Sequence, residues 1–150
     1  MQSEINYDSN LPTYGPHRPA WPRYGEYKFV PRQRWIHNLE HGAVVMLYHP
    51  CAHPFLVSKL RKIVESCLYR HIITPFTLLN PDRPLALVTW GWALLMSDID
   101  REIVTDFIQH HALKGPEHLS QDGQYDYMLL TPAKIVSNQE DDVICPRGRP

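Results

Sequence analysis

Ile36-His37-Asn38-Leu39-Glu40-His41-Gly42-Ala43-Val44-Val45-Met46-Leu47-Tyr48 is the stretch from which the rest of the chain can be read. Its first half packs two imidazoles, a carboxamide and a carboxylate into five positions, His37 to His41. Its second half is the most apolar run in the protein. The run from Ala43 to Leu47 does not alternate polar with apolar, so it is expected to be a strand covered on both faces. Pro31 upstream and Gly42 immediately after leave the polar half about one helical turn, and it reads as a turn at the end of a sheet.

Working outward, Pro50 ends this strand and Pro54 suits the first turn of a helix running to about Tyr69. Leu56, Leu60, Ile63, Val64, Cys67 and Leu68 fall on one helical face, with Lys59, Arg61, Lys62 and Glu65 on the wet side. Ile72 to Leu79 reads as a strand interrupted by Pro75, and Asn80 to Pro84 as a turn. Leu85 to Trp90 is a second strong strand. Gly91 marks a bulge or a close backbone contact, and Trp92 to Met96 continues the strand. Ser97 is placed to cap a second helix, with Asp100 at the reciprocal position and an apolar stripe of Ile99, Ile103, Val104, Phe107 and Ile108. Gly115-Pro116 stops it. Tyr125 to Leu130, as an edge strand, and Lys134 to Val136 are short pieces. This order predicts an α+β domain: a mostly antiparallel sheet, loosely ferredoxin-like in its β-α-β-β-α order, with two helices on one face.

Residues 1 to 34 interleave five prolines with Tyr7, Tyr14, Trp21, Tyr24, Tyr27 and Phe29. Disordered tails are poor in aromatics, so this is expected to be an ordered arm closing the second face of the sheet. Lys28-Phe29-Val30 is expected to add an edge strand. The chain thus divides into an arm (1–34), an α+β core (35–132) and a tail or linker (133–150).

At 150 residues the chain fits one domain, large enough to bury about two-thirds of its unfolded surface. Its net charge of -1 provides no basic footprint for nucleic acid. No apolar run approaches the roughly 20 residues of a transmembrane helix, and Met1 leads into polar residues rather than a signal peptide. The Pro-rich, charged ending reads as a truncation or linker within a longer protein. Of the three cysteines, Cys51 and Cys67 would lie about 20 Å apart along one helix, beyond the roughly 7 Å a disulfide tolerates. Either the helix is broken or Cys67 is a buried thiol, and Cys51 can instead meet Cys145 if the tail folds back.

His37, Glu40 and His41 form His-x-x-Glu-His, the pattern of inverted zinc proteases, in which a helix sets both imidazoles on one face and the carboxylate poises a metal-bound water. The expected turn does not supply that helix. A metal site requires less: His37, Glu40 and His41 with His17, from Tyr14-Gly15-Pro16-His17, suffice for zinc or copper. The competing account has Asn38 and Glu40 only hydrogen-bonding the arm to the sheet. His49, Cys51 and His53 resemble a soft-metal trap, but the intervening strand puts them about 26 Å from the first group. His110 and His111 complement the dipole at a helix end. No phosphate loop, nucleophile elbow or dinucleotide fingerprint is present.

The Pro12 to His17 arm, the His37-Asn38-Leu39-Glu40-His41-Gly42 motif leading into a strand, Thr89-Trp90-Gly91, the Asp100 to Ala112 helix and Pro116-Glu117 together resemble an uncharacterised domain-of-unknown-function family over residues 7 to 130. Tyr48 to Pro54, with Asp82 to Leu85, is more narrowly similar to the animal family of single-pass membrane proteins induced by the p53 tumour suppressor. Tyr14 departs from the bacterial members, where a small residue is usual. The resemblance carries no activity with it and implies a luminal or extracellular domain whose anchor lies outside this chain. The reading that follows is a non-enzymatic domain of a membrane protein with a protein rather than a nucleic-acid partner. The alternatives are a zinc- or copper-binding domain using His17, His37, Glu40 and His41, and a metal-dependent hydrolase with Glu40 as base.

Overall fold

The structure, a computed structural model, describes Ile5, Tyr7 and residues 9 to 146. The unbroken apolar run forms strand β2 (Val44–Tyr48), which lies inside a six-stranded sheet. The other strands are β1 (Gly25–Tyr27), β3 (His71–Pro75), β4 (Leu85–Thr89), β5 (Trp92–Met96) and β6 (Leu129–Pro132), in the spatial order β5-β4-β2-β3-β1-β6. β2 pairs in parallel with β3 and antiparallel with β4, and β4 pairs antiparallel with β5. β1 lies parallel to β3 and antiparallel to β6. Three of the five pairings are antiparallel, and the fold is α+β with, among the described residues, three helices: α1 (Arg32–Glu40), α2 (Pro54–Cys67) and α3 (Arg101–His111).

Because side chains alternate along a strand, β2 feeds two separate cores. Val44 and Met46 join Ile73, Leu85 and Leu87 beneath α2 and α3, which contribute Leu60, Ile63, Val64, Val104 and Ile108. Val45 and Leu47 join Ile72, Ala86 and Val88 on the opposite face, covered by Trp35, Ile36 and Leu39 of α1 with Tyr24, Tyr27 and Val30 of the arm. The aromatic arm does close the second face, in company with a helix.

That helix corrects the expected turn. Pro31 sits at the N-cap of α1 with extended backbone angles, where a proline costs the helix nothing. Nine residues then fit before Gly42, whose φ of 97° ends the helix. Three further expectations change. The short strand in the arm is Gly25–Tyr27, paired on both sides and not at an edge, whereas Lys28 to Val30 lies beyond it. Trp90-Gly91 is a hairpin turn and not a bulge, with Thr89 facing Trp92 and Gly91 at φ 81°. The α3 cap is Asp100, which accepts from Glu102 and Ile103 N–H at 3.0 and 3.2 Å, and not Ser97.

The cysteines also differ from expectation. The tail folds back, but onto Cys67: Cys67 and Cys145 form a disulfide and Cys51 is free and exposed. Cys67 ends α2, so its sulfur meets the tail while Cys51 stays at the other end of the helix. Among the described residues no helix is long and apolar enough to cross a membrane.

Candidate metal centre

α1 gives the His-x-x-Glu-His motif the helical backing that the sequence was expected to deny it. Its apolar residues Trp35, Ile36 and Leu39 are drawn into the core. His37, Glu40 and His41, three and four positions apart, are left together at its C-terminal end. The arm crosses over this end. Asn38 ties it down, its Nδ2 donating to the Pro22 carbonyl at 2.9 Å. The bond joins the arm to a helix, where the sequence reading had Asn38 and Glu40 joining it to the sheet.

The His37 Nδ1 lies 2.7 Å from the Arg18 carbonyl, and the His17 Nδ1 lies 2.9 Å from the Gly15 carbonyl. A carbonyl only accepts, so both nitrogens must carry hydrogen. In the neutral rings the Nε2 lone pairs are therefore bare, and both face Glu40. His17 Nε2 stands 3.2 Å and His37 Nε2 3.9 Å from the same Glu40 Oε1. Backbone bonds that fix the tautomer and aim the ring are the usual outer support of metal-binding histidines. Burial pushes the His37 imidazole below its ordinary value, against the pull of its bond to the Arg18 carbonyl.

A fifth group, Glu117, comes from the loop after α3 and was not singled out as a ligand from the sequence. Glu117 N–H donates to the Glu40 carbonyl at 3.0 Å, and Leu113 N–H to the Gly42 carbonyl at 2.8 Å. Gly115 rests on the end of α1 so closely that a Cβ would overlap the carbonyl oxygens of Leu39 and Glu40. Thus held, Glu117 Oε1 reaches His41 Nε2 at 2.8 Å, while the His41 Nδ1 is buried with no hydrogen-bond partner. The ligand atoms of His37, Glu40, His41 and Glu117 all lie within 4.8 Å of one another. Trp21 walls the group, its ring 5.0 Å from His37 and 4.6 Å from His41. The sequence signals near Glu117 are the Gly115-Pro116 helix stop and the place of Pro116-Glu117 in the family resemblance, neither of which marks it as a ligand.

The second candidate group behaves differently. His49 Nδ1 accepts from Cys51 N–H and His53 Nδ1 from Phe55 N–H, each at 3.0 Å. A neutral ring that accepts at Nδ1 carries its proton on Nε2, so His49 offers no bare nitrogen and His53 serves as the cap of α2. His111 stacks on Trp92 at 4.5 Å instead of meeting an acid.

A family model described as "Protein of unknown function (DUF3105)" matches residues 1–123. Tumor protein p53-inducible protein 13 of Rattus norvegicus is 39% identical over 57 residues, which is 38% of this chain and 15% of the relative. Its counterpart in Mus musculus is 33% identical over 66 residues, 44% of this chain and 17% of the relative. The chain therefore covers less than a fifth of either relative. No solved structure matches it. The family model spans the arm, the α1 motif and the loop that delivers Glu117, and on that extent of match the chain belongs to the DUF3105 family.

Proposed function

We propose that this domain is a metal-binding module, non-enzymatic and facing a luminal or extracellular space, that holds one zinc or copper ion among His37, Glu40, His41 and Glu117, with His17, set against Glu40, as the alternative fourth ligand. The observation that carries the reading is the commitment of the His17 and His37 Nδ1 atoms to backbone carbonyls. It leaves two bare nitrogens against one carboxylate, an arrangement of acceptors that a metal ion, or a proton on one imidazole, would satisfy. Ligands about 2.0 Å from a tetrahedral ion stand about 3.3 Å apart. The contacts of 2.8, 3.2 and 3.9 Å straddle that spacing. Imidazole with carboxylate suits zinc and copper alike. Glu40 Oε1, lying against two imidazoles, has the position of a ligand and not that of a base beside a metal-bound water.

The test is metal analysis of the chain purified without a His tag, with zinc and copper titrations followed by melting. About one equivalent is expected. An ion at a hundredfold above its Kd should add about 2.7 kcal/mol of stability. His41→Ala should abolish binding. Less than about a tenth of an equivalent, with no rise in melting temperature for either ion, overturns the reading.

The Cys67–Cys145 disulfide supports the extracytoplasmic side, because such bonds persist in oxidising compartments. The protein recovered from its native compartment should show a single reactive thiol, Cys51, when denatured without reductant. Three thiols would count against the placement.

A further inference from the structure

The metal-site reading leaves Arg70 without a role, although its side chain is fully buried. It lies between the end of α2 and β3. Its guanidinium touches three separate pieces of chain. Nη1 donates to the His41 carbonyl at 3.1 Å and to the Leu119 carbonyl at 3.4 Å. Nη2 donates to the Glu140 carbonyl at 2.7 Å. Two of these pieces carry ligands: His41 itself, and the loop with Glu117 two residues before Leu119. The third is the tail.

The tail also supplies the counter-charge. Asp141 Oδ2 lies 3.5 Å from Arg70 Nε, and both side chains are wholly excluded from solvent. The same carboxylate accepts from Tyr69 N–H at 2.6 Å and Arg70 N–H at 3.0 Å. What keeps Asp141 there is the disulfide, together with the bond from Cys145 N–H to the Cys67 carbonyl at 2.8 Å. A buried guanidinium is held in place by its anion. Loss of the tail would leave the cation to seek water and pull on the His41 and Leu119 carbonyls.

We propose that Arg70 is a positioning residue that couples the Cys67–Cys145 disulfide to the metal site, so that opening the disulfide weakens metal binding. A dithiol would supply the two electrons and two protons, leaving Cys67 and Cys145 as thiols and becoming a cyclic disulfide itself. The proposal rests on the metal reading. It adds redox control of that same site.

Coupling between sites is reciprocal, so the first experiment needs no variant. Amide exchange is measured on the oxidised wild-type chain with and without zinc. Zinc should slow exchange at Tyr69, Arg70 and Asp141 as well as around His41. Protection confined to α1 and the Glu117 loop overturns the coupling. The second experiment compares zinc Kd values for wild type, Arg70→Lys and the Cys67→Ala/Cys145→Ala double variant, at a temperature where circular dichroism finds all three folded. Lysine keeps the charge and loses the fork that reaches three carbonyls. Both variants should bind at least tenfold more weakly. Equal Kd values overturn the proposal, because a merely structural role would move the melting temperature alone. If the oxidised wild type takes neither zinc nor copper, the metal reading fails and this proposal falls with it; if it takes copper alone, the same comparisons are made with copper. Binding that ignores the disulfide and Arg70 sinks the coupling only.

Discussion

Gly115 has no room for a side chain. A methyl group there would collide with the carbonyls of Leu39 and Glu40, so Gly115→Ala must lift the loop off α1. Overpacking of this kind costs about 1–3 kcal/mol. The loop carries Glu117, so the variant should lose metal affinity along with stability, as zinc titration beside chemical denaturation would show. His71 offers a pH test at the same scale. Burial holds its imidazole below the ordinary value of 6.5, and His37 is shifted the same way for the same reason. Below that value the unfolded chain takes up protons that the folded chain refuses. Stability of the metal-free protein should therefore fall as pH drops from 7.5 to 5.5, with a slope of up to about 1.4 kcal/mol per pH unit for each histidine. His71→Leu should flatten the curve by one histidine's share. An unchanged slope would mean that His71 charges without penalty in the folded state.

At the scale of elements, α3 gives the simplest check. Asp100 makes both cap bonds, so Asp100→Ala should cost about 1 kcal/mol, with Ser97→Ala near neutral. The opposite ranking in urea titrations would restore the Ser97 cap. The strands and the two amphipathic helices were legible in the sequence because their burial patterns are local: β2 and β4 are apolar without interruption, and α2 shows one stripe. α1 was not read, although Trp35, Ile36 and Leu39 sit at helical spacing. Pro31 was taken as a breaker when it stands at the N-cap, where its fixed φ is no obstacle. The β4–β5 hairpin was missed for a related reason. Gly91 has open space around it, and its positive φ serves a turn and not a close contact.

For the molecule as a whole, the disulfide closes a loop spanning 78 residues. The chain-entropy relation gives about 4.5 kcal/mol for a loop of this length. Reduction should lower the unfolding free energy by an amount of that order, measurable in guanidinium with and without a phosphine reductant. The site is likewise a property of the whole chain. His37, Glu40 and His41 announced themselves by spacing, and His17 by being the histidine on the N-terminal arm. Glu117 lies 76 positions from His41, and only the loop resting on α1 joins them. No local pattern encodes such a meeting, nor the pairing of Cys67 with Cys145.

β1 has a consequence for how the protein is made. It is a three-residue strand near the start of the chain, yet one neighbour, β3, begins at His71 and the other, β6, at Leu129. During synthesis, residues 25–27 can gain their first neighbour only once β3 has been made, and their second only once β6 has. A nascent chain stopped short of Leu129 leaves one side of β1 unpaired and should be cleaved by protease near residues 25–27 more readily than the longer chain. The β1–β6 pairing is thus the last of the sheet to become possible, and the layer that carries the histidines is completed only with it.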